Sequence, residues 1–326
     1  MNEWINQVFC EDALEGLARI PDGSVDLILT DPPYNLGKDY GNGSDQKSVA
    51  EYLAWTEHWI DAVLPKLKPN GSLYIFVTWR FSPEIFVLLK QRMTMMNEII
   101  WDRRVPSMGG SVRSFTSVHD TVGFFVNRKD YYFDLDAVRI AYDAKTKKAR
   151  SRSIFVGAKW LEVGYNPKDL WSVSRLHRLH PERAEHPTQK PLEIIERMLK
   201  ASCPPGGVVL DPFMGSGTTA VAAQRCGRNY VGFELNADYC TVIAARLSAP
   251  AAPVGVALKK PRAVPRKTKG GDVGGEGSGP QQRHRGLTPL VTPVGVAVKK
   301  PRATARKTKG GAVEPLNDNL AIQLSE

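Results

Sequence analysis

Residues 208–227, VVLDPFMGSGTTAVAAQRCG, pass from an apolar strand-like run through Gly215-Ser216-Gly217 into a helical pattern that opens at Thr218. A strand that feeds a glycine loop and then a helix points to the α/β class, because the crossover helix has to cover a face of a mostly parallel sheet. The glycines let backbone N–H groups approach a ligand closely. A second strand-like run, YVGFEL, follows and ends near Glu234, placed like the acid that hydrogen-bonds ribose hydroxyls in nucleotide sites. Taken alone, these residues suit a packed strand-to-helix turn and a surface glutamate as well. The layout fits NAD and S-adenosylmethionine alike, although G-S-G-T-T lacks the third glycine of the dinucleotide fingerprint.

The alternation extends over most of the chain. Short β-rich runs at 25–30, 72–77, 98–101, 121–126, 208–210 and 230–233 read as buried strands. Leu53, Trp59, Ile60, Val63, Leu64 and Leu67 fall largely at three- and four-residue steps, as on one helix face. Pro191 reads as the first turn of LEIIERMLKASC, and Asn236 as the cap of ADYCTVIAARL. The mixed, polar and basic segment 103–185 breaks the pattern and looks inserted. The strand at 25–30 runs into Asp31-Pro32-Pro33-Tyr34, whose prolines end the ladder. That puts a carboxylate, a free carbonyl and an aromatic ring at the carboxyl edge of the sheet, where ligand sites of open α/β sheets lie. The plain alternatives are an Asp-Pro turn with a core tyrosine and, for HPTQKP at 186–191, a polar helix entry.

Apolar residues at 42% and charged residues at 24% exclude a wholly disordered chain. No apolar stretch approaches the ~18 residues of a membrane span, and MNEWINQVFCED does not read as a signal peptide. Cys10, Cys203, Cys226 and Cys240 are widely spaced in sequence, which argues against a disulfide scaffold or zinc finger and for a reducing cytoplasm. The formal charge of +10 sits almost wholly in the tail: from Pro250 onward there are 14 Lys and Arg against 5 Asp and Glu. Residues 253–271 return at 293–311 with 16 of 19 positions identical. Such a segment buries too little apolar area to offset its ordering entropy, which predicts a chain disordered when free.

DPPY, then HPTQKP, then DPFMGSGTT and an acidic strand end, in that order, resemble the amino-directed DNA methyltransferases of the β class, in which the catalytic motif precedes the cofactor motif. YYFDLDAVR (131–139) and NPKDLW (166–171) are similar to runs of RsrI-type adenine methyltransferases. The resemblance spans residues 5–247. It implies an α/β, Rossmann-like class I methyltransferase fold with a mostly parallel sheet and permuted motif order. The methyltransferase domain would be 1–249, with a target-recognition region inserted at about 103–185, and 250–326 would be the basic tail.

The resemblance also implies roles. Asp211, Phe213, Gly215, Ser216, Gly217 and Thr218 would line the methionine half of S-adenosylmethionine, Glu234 would hold the ribose, and Asp12 would sit near the adenine ring. His186, Thr188, Gln189 and Lys190 would close over the cofactor carboxylate, and Asp31 would border both ligands. Asp31 and the Pro33 carbonyl, on the turn fixed by Pro32, can accept the two N–H groups of an exocyclic amine, while Tyr34 stacks on the extruded base. No covalent nucleophile and no metal are implied. Aspartate before PPY favours adenine N6 over cytosine N4, and Asn-Pro-Pro-Tyr would have suggested a protein glutamine methyltransferase.

Arg103, Arg104, Arg113, Lys145, Lys147, Lys148, Arg150, Arg152, Arg175 and Arg178 are the candidate DNA contacts, although any one basic run also reads as a solvated face. The expected partners are double-stranded DNA and a second copy in a homodimer, with no membrane, in a nucleoid-associated cytoplasmic setting; the enzyme would be either the companion of a cognate restriction endonuclease or a solitary epigenetic regulator. The competing readings are cytosine-N4 methylation, RNA adenine methylation, and a nucleoid-binding protein with a degenerate methyltransferase body.

Overall fold

The computed structural model describes residues 3–38, 45–105, 113–151 and 158–249. The tail repeats at 253–271 and 293–311, and Arg152, lie outside the described residues. The strands are β1 (Gln7–Phe9), β2 (Val25–Thr30), β3 (Leu67–Val77), β4 (Thr94–Asp102), β5 (His119–Val126), β6 (Leu170–Ser172), β7 (Val208–Asp211) and β8 (Asn229–Phe233). They form one sheet in the order β1-β8-β7-β2-β3-β5-β4-β6. Its pairings are parallel except for those of β5, which runs against both neighbours. The carboxyl ends of seven strands therefore share one edge with the start of β5.

Helices α1 (Ala13–Gly16), α2 (Val49–Val63), α3 (Ser82–Lys90), α4 (Ala144–Arg150), α5 (Ala158–Val163), α6 (Leu192–Ser202), α7 (Thr218–Arg225) and α8 (Ala237–Ser248) complete the chain. Side chains alternate across a strand, so each strand feeds two cores. Leu27 and Leu29 of β2, with Tyr74 and Phe76 of β3, pack against Ile194, Met198 and Leu199 of α6 and Ala222 of α7. Ile28, Leu73 and Ile75 face the other way, onto Trp59 and Ile60 of α2 and Ile85 of α3. Ser48 caps α2 in a capping box with Glu51, and the Asn236 side chain caps α8 as the sequence predicts. No helix among the described residues is long and apolar enough to cross a membrane.

Three local expectations shift. Helix α2 stops at Val63, a 3₁₀ turn containing Pro65 follows, and Leu67 opens β3 instead of extending the helical face. Tyr52 and Thr56 join Trp59, Ile60 and Val63 as its buried residues, while Leu53 is only partly buried. Pro191 stands one residue before α6, at its cap. The segment 103–185 is also more than an insertion, because it supplies β5 in the middle of the sheet and β6 at its edge.

The wide sequence spacing of the cysteines does not keep two of them apart in the fold, although a single crosslink makes no disulfide scaffold. Cys10 and Cys240 form a disulfide with Cα atoms 6.0 Å apart, while Cys203 and Cys226 are free. Sequence spacing hid this pair because proximity arises from the sheet: β1 pairs with β8 through Phe9 and Phe233, and α8 follows β8 directly. The crosslink closes a sequence separation of 230 residues. Reduction, or C10S, should therefore cost about 2–4 kcal/mol of stability. Thermal unfolding with and without a thiol reductant checks this, and an unchanged midpoint would contradict it.

Candidate functional site

Six candidate residues gather because parallel strands end together. Asp31 follows β2, Arg103 follows β4, Asp211 ends β7, Glu234 follows β8, Asp12 lies three residues past β1, and Arg175 lies three past β6. Sequence had named all of them, but only the strand order shows that they share one edge.

The turn after β2 is held from several sides. Tyr34 Oη donates to Asp31 Oδ1 at 2.7 Å, and Lys190 Nζ donates to Asp31 Oδ2. Tyr34 is 9% exposed and belongs to the apolar core, so its ring is largely covered. The Pro33 carbonyl accepts from Tyr52 Oη at 2.9 Å. Asp45, which the sequence reading missed, accepts from the backbone N–H of Asn35, Leu36 and Lys38 at 2.7–3.0 Å. Asn35 takes a positive φ of 55° and clasps Lys47 through both its backbone groups. A buried carboxylate accepting three N–H groups fixes a short loop firmly. Nothing in the sequence around Asp45 marks it, because its partners lie up to ten residues away.

The glycine loop is equally bound. Gly215 and Gly217 have φ of +55° and +78°, a region that glycine enters without steric cost. A Cβ on Gly215 would lie 3.1 Å from His186 Nε2, which explains why the loop and the HPTQKP segment pack so closely. Asp211 accepts from Phe213 N at 3.0 Å and Thr219 Oγ1 at 2.6 Å, and its fully buried position pushes its carboxyl up to about 7. Glu234 accepts from Gly215 N at 2.7 Å and Asn236 N at 2.9 Å, and burial raises it as well. Both acids therefore brace the loop through its backbone. Arg246 of α8, also missed, donates to the Ser216 carbonyl and, at 3.2 Å, to Thr218 Oγ1. In the segment before α6, Gln189 ties the Glu182 carbonyl to the Ala184 N–H, and Thr188 N donates to His186 Nδ1. Burial, with Lys190, Arg183 and Arg246 nearby, drives the His186 pKa down to about 4.

Between these two loops lies a cavity of about 320 Å³. Asp12, Asp31, His186, Thr188, Gln189, Lys190, Asp211, Phe213, Gly215, Ser216, Thr218 and Glu234 all line it. Gly217 stands behind the loop, with Ile243 where its Cβ would be. Phe213 packs at 5.6 and 5.3 Å on Trp55 and Trp59, giving the cavity an aromatic wall. Aromatic surface, acids suited to hydroxyls and several carboxylates suited to a cation fit the chemistry of S-adenosylmethionine, and the volume lies within the usual range for small-molecule sites.

The basic candidates divide. Arg103, Arg104, Arg175 and Arg178 follow β4 and β6 at the carboxyl edge, and the Arg175 N–H donates to the Arg103 carbonyl at 3.0 Å. Arg103 also faces the buried Asp120 of β5 at 3.5 Å. Arg113 is exposed in the segment before β5. Lys145, Lys147, Lys148 and Arg150 lie together on α4 and follow no strand directly.

The sequence profile of the DNA methylase family, the N6/N4 methyltransferases, matches residues 25–246. Type II methyltransferase M.HpaI of Haemophilus parainfluenzae is 35% identical over 243 residues, covering 74% of each chain. DNA adenine methyltransferase YhdJ of Escherichia coli K12 is 34% identical over 234 residues, 70% of this chain and 78% of YhdJ. The crystal structure of the M1.HpyAVI–SAM complex superposes with a TM-score of 0.50 at 26% identity, over 74% of this chain and 98% of that one.

Two buried groups here bias stability in opposite directions with pH. His186, depressed from 6.5 to about 4, contributes stability that is present above 6.5 and is lost as pH falls towards 4. Asp211, raised from 3.8 to about 7, binds its proton more tightly when folded, so its contribution is present at low pH and is lost as pH rises towards 7. In thermal unfolding between pH 4.5 and 7, H186Q should favour the acid end relative to wild type, and D211N the neutral end. Parallel profiles for all three proteins would contradict this.

Proposed function

The chain belongs to the N6/N4 DNA methylase family, and we propose that it transfers a methyl group from S-adenosylmethionine to the N6 amino group of adenine in double-stranded DNA. One observation carries the reading: Asp31 and Pro33 of the DPPY turn and Gly215 and Ser216 of the glycine loop, far apart in sequence, line one cavity at the carboxyl edge of the sheet. S-adenosylmethionine supplies an electrophilic methyl group on a sulfonium. The residues left for this chain are those that prepare the amine.

The adenine amino group is a weak nucleophile because its lone pair is delocalised into the ring. Asp31 has acceptor positions beyond those used by Tyr34 and Lys190, and the Pro33 carbonyl keeps a second lone pair beside Tyr52. With one N–H held at each, the nitrogen turns pyramidal and its lone pair is aimed by a turn that Asp45 keeps rigid. The target base leaves the duplex stack to reach Asp31. Aspartate before PPY and the kinship with an adenine methyltransferase support adenine as the base. The roles of Asp211 and Glu234 are to shape the glycine loop around the cofactor, with Asp12 and Thr188 at its rim.

Arg103, Arg104, Arg175 and Arg178 face the DNA around the extruded base, and the lysines of α4 contact phosphates farther along. The protein works as a homodimer on a palindromic site, in the compartment that holds the DNA, beside a cognate endonuclease. The basic tail adds sequence-independent phosphate contacts. Truncation after residue 249 should flatten the salt dependence of DNA binding, whose slope is about −0.9 per phosphate neutralised, while leaving the methylated motif unchanged. An unchanged slope would dismiss the tail from binding.

The direct test is to express the chain in cells lacking DNA methylation and to digest their DNA for mass spectrometry. N6-methyladenine should appear, mapping to one sequence motif, and should vanish with D31A. N4-methylcytosine in its place would reverse the base assignment, and no modified base would overturn the reading.

A further inference from the structure

We infer that Lys190 is a positioning residue for the reaction: its ammonium locks the Asp31 carboxylate in the orientation that accepts the amine. The inference rests on the proposed methyl transfer and deepens it. The family resemblance assigns this lysine to the cofactor carboxylate, but in this structure Nζ lies against Asp31 Oδ2. The ammonium is almost enclosed, with 8% of the side chain exposed against 22% for Asp31. It lies 5.0 Å from the centre of the Phe76 ring and 5.3 Å from that of Tyr34. The Thr188 carbonyl stands 3.5 Å away.

Stability does not account for such an arrangement. Taking an ammonium and a carboxylate out of water costs several kcal/mol per ion, and a buried pair is often no better than apolar side chains of the same size. Geometry does account for it. A carboxylate attached through a single bond turns freely unless both oxygens are held. Tyr34, three residues away, holds Oδ1 at 2.7 Å, and Lys190, 159 residues away in the chain, holds Oδ2. The two donors leave the remaining lone pairs of Asp31 pointing in fixed directions. Lys190 is itself held by rings and a carbonyl at the entry of α6, so the constraint comes from a rigid element.

The electrostatics of a neighbouring acid agree with this placement. Asp120 of β5 is buried, and desolvation raises its pKa while the charges of Lys190 and Arg103 oppose that rise. Lys190 is thus paired with the acid after β2, while its charge is also felt by the acid on β5, which faces Arg103.

The experiment uses the full-length chain, tritiated S-adenosylmethionine and unmethylated plasmid DNA. K190M should lower kcat by about 100-fold, the loss expected when a catalytic group is misplaced by about 1 Å. Its equilibrium affinity for S-adenosylmethionine should stay within a few-fold of wild type. K190R, which keeps the charge, should regain a substantial part of kcat. Without any substrate, thermal unfolding of wild type, K190M, D31N and the double variant reads the pair directly, and the cost of K190M should shrink in the D31N background. Additive shifts in that cycle would overturn the pairing. So would K190M with normal kcat and more than about tenfold weaker cofactor binding, which would return the lysine to the cofactor carboxylate. A wild-type chain that methylates no DNA would overturn the proposed function and this role with it. An active wild type matched by an equally active K190M would overturn this inference alone.

Discussion

The pairing of β2 with β7 is the join on which the site depends. It rests on two registered pairs, Leu27 with Val209 and Ile28 with Leu210, between strands more than 180 residues apart. Asp26 secures it by accepting from Val208 N at 2.9 Å while pairing with Lys68 of β3 at 2.8 Å. Because the ladder is parallel, both strands end at the same edge, and the Asp31 turn and the glycine loop are placed side by side. An antiparallel join would have put them at opposite ends of the sheet. A one-residue slip would have exchanged the buried faces of β2, which are committed to two different cores.

That placement has an electrostatic consequence. Asp31, Asp211 and Glu234 converge on one cavity, and Asp120 is close enough to sense Asp31. Four acids around a partly desolvated space would repel one another unless each found donors. Each does so in its own way. Glu234 takes backbone N–H groups, Asp211 takes an N–H and a hydroxyl, Asp31 takes a phenol and an ammonium, and Asp120 faces Arg103. The nearby cations serve the acids and the loop carbonyls at once, as Arg246 does on Ser216. The site is thus a balanced set of buried charges, with a negative bias suited to a cationic cofactor.

What could be read from the sequence follows from how local each feature is. The strand at 25–30, the glycine loop and the Asn236 cap are encoded within a few residues, and the structure has them at those positions. The boundary of α2 moved because Leu67 is equally apolar on a helix face or in a strand, and the bend at Pro65 decided between them. Strand β5 could be recognised as a strand but not placed, since its partners β3 and β4 are separated from each other in the sheet by β5 itself. Asp45, Arg246 and the cysteine pair carry no local signature. Asp45 matters through three backbone donors, Arg246 through a carbonyl thirty residues away, and Cys10 through a strand pairing that crosses the whole domain.

The antiparallel strand also sets which charged groups meet at the carboxyl edge. β5 starts where the others end, so Asp120 is brought to the carboxyl edge, between Asp31 and Arg103. Arg103 continues β4, and its carbonyl holds the N–H of Arg175 beyond β6. A displacement of β4 or β6 would therefore act on Arg103 and on the Asp120 carboxylate that it faces, whose charge environment includes Lys190 and Asp31. These charged groups lie in a partly desolvated seam, where a small movement carries a large energy. A sheet with all strands parallel would have placed the start of β5 at the opposite edge and broken this connection. The reversed strand is thus what brings Asp120, with Arg103 beside it, to the same edge as Asp31.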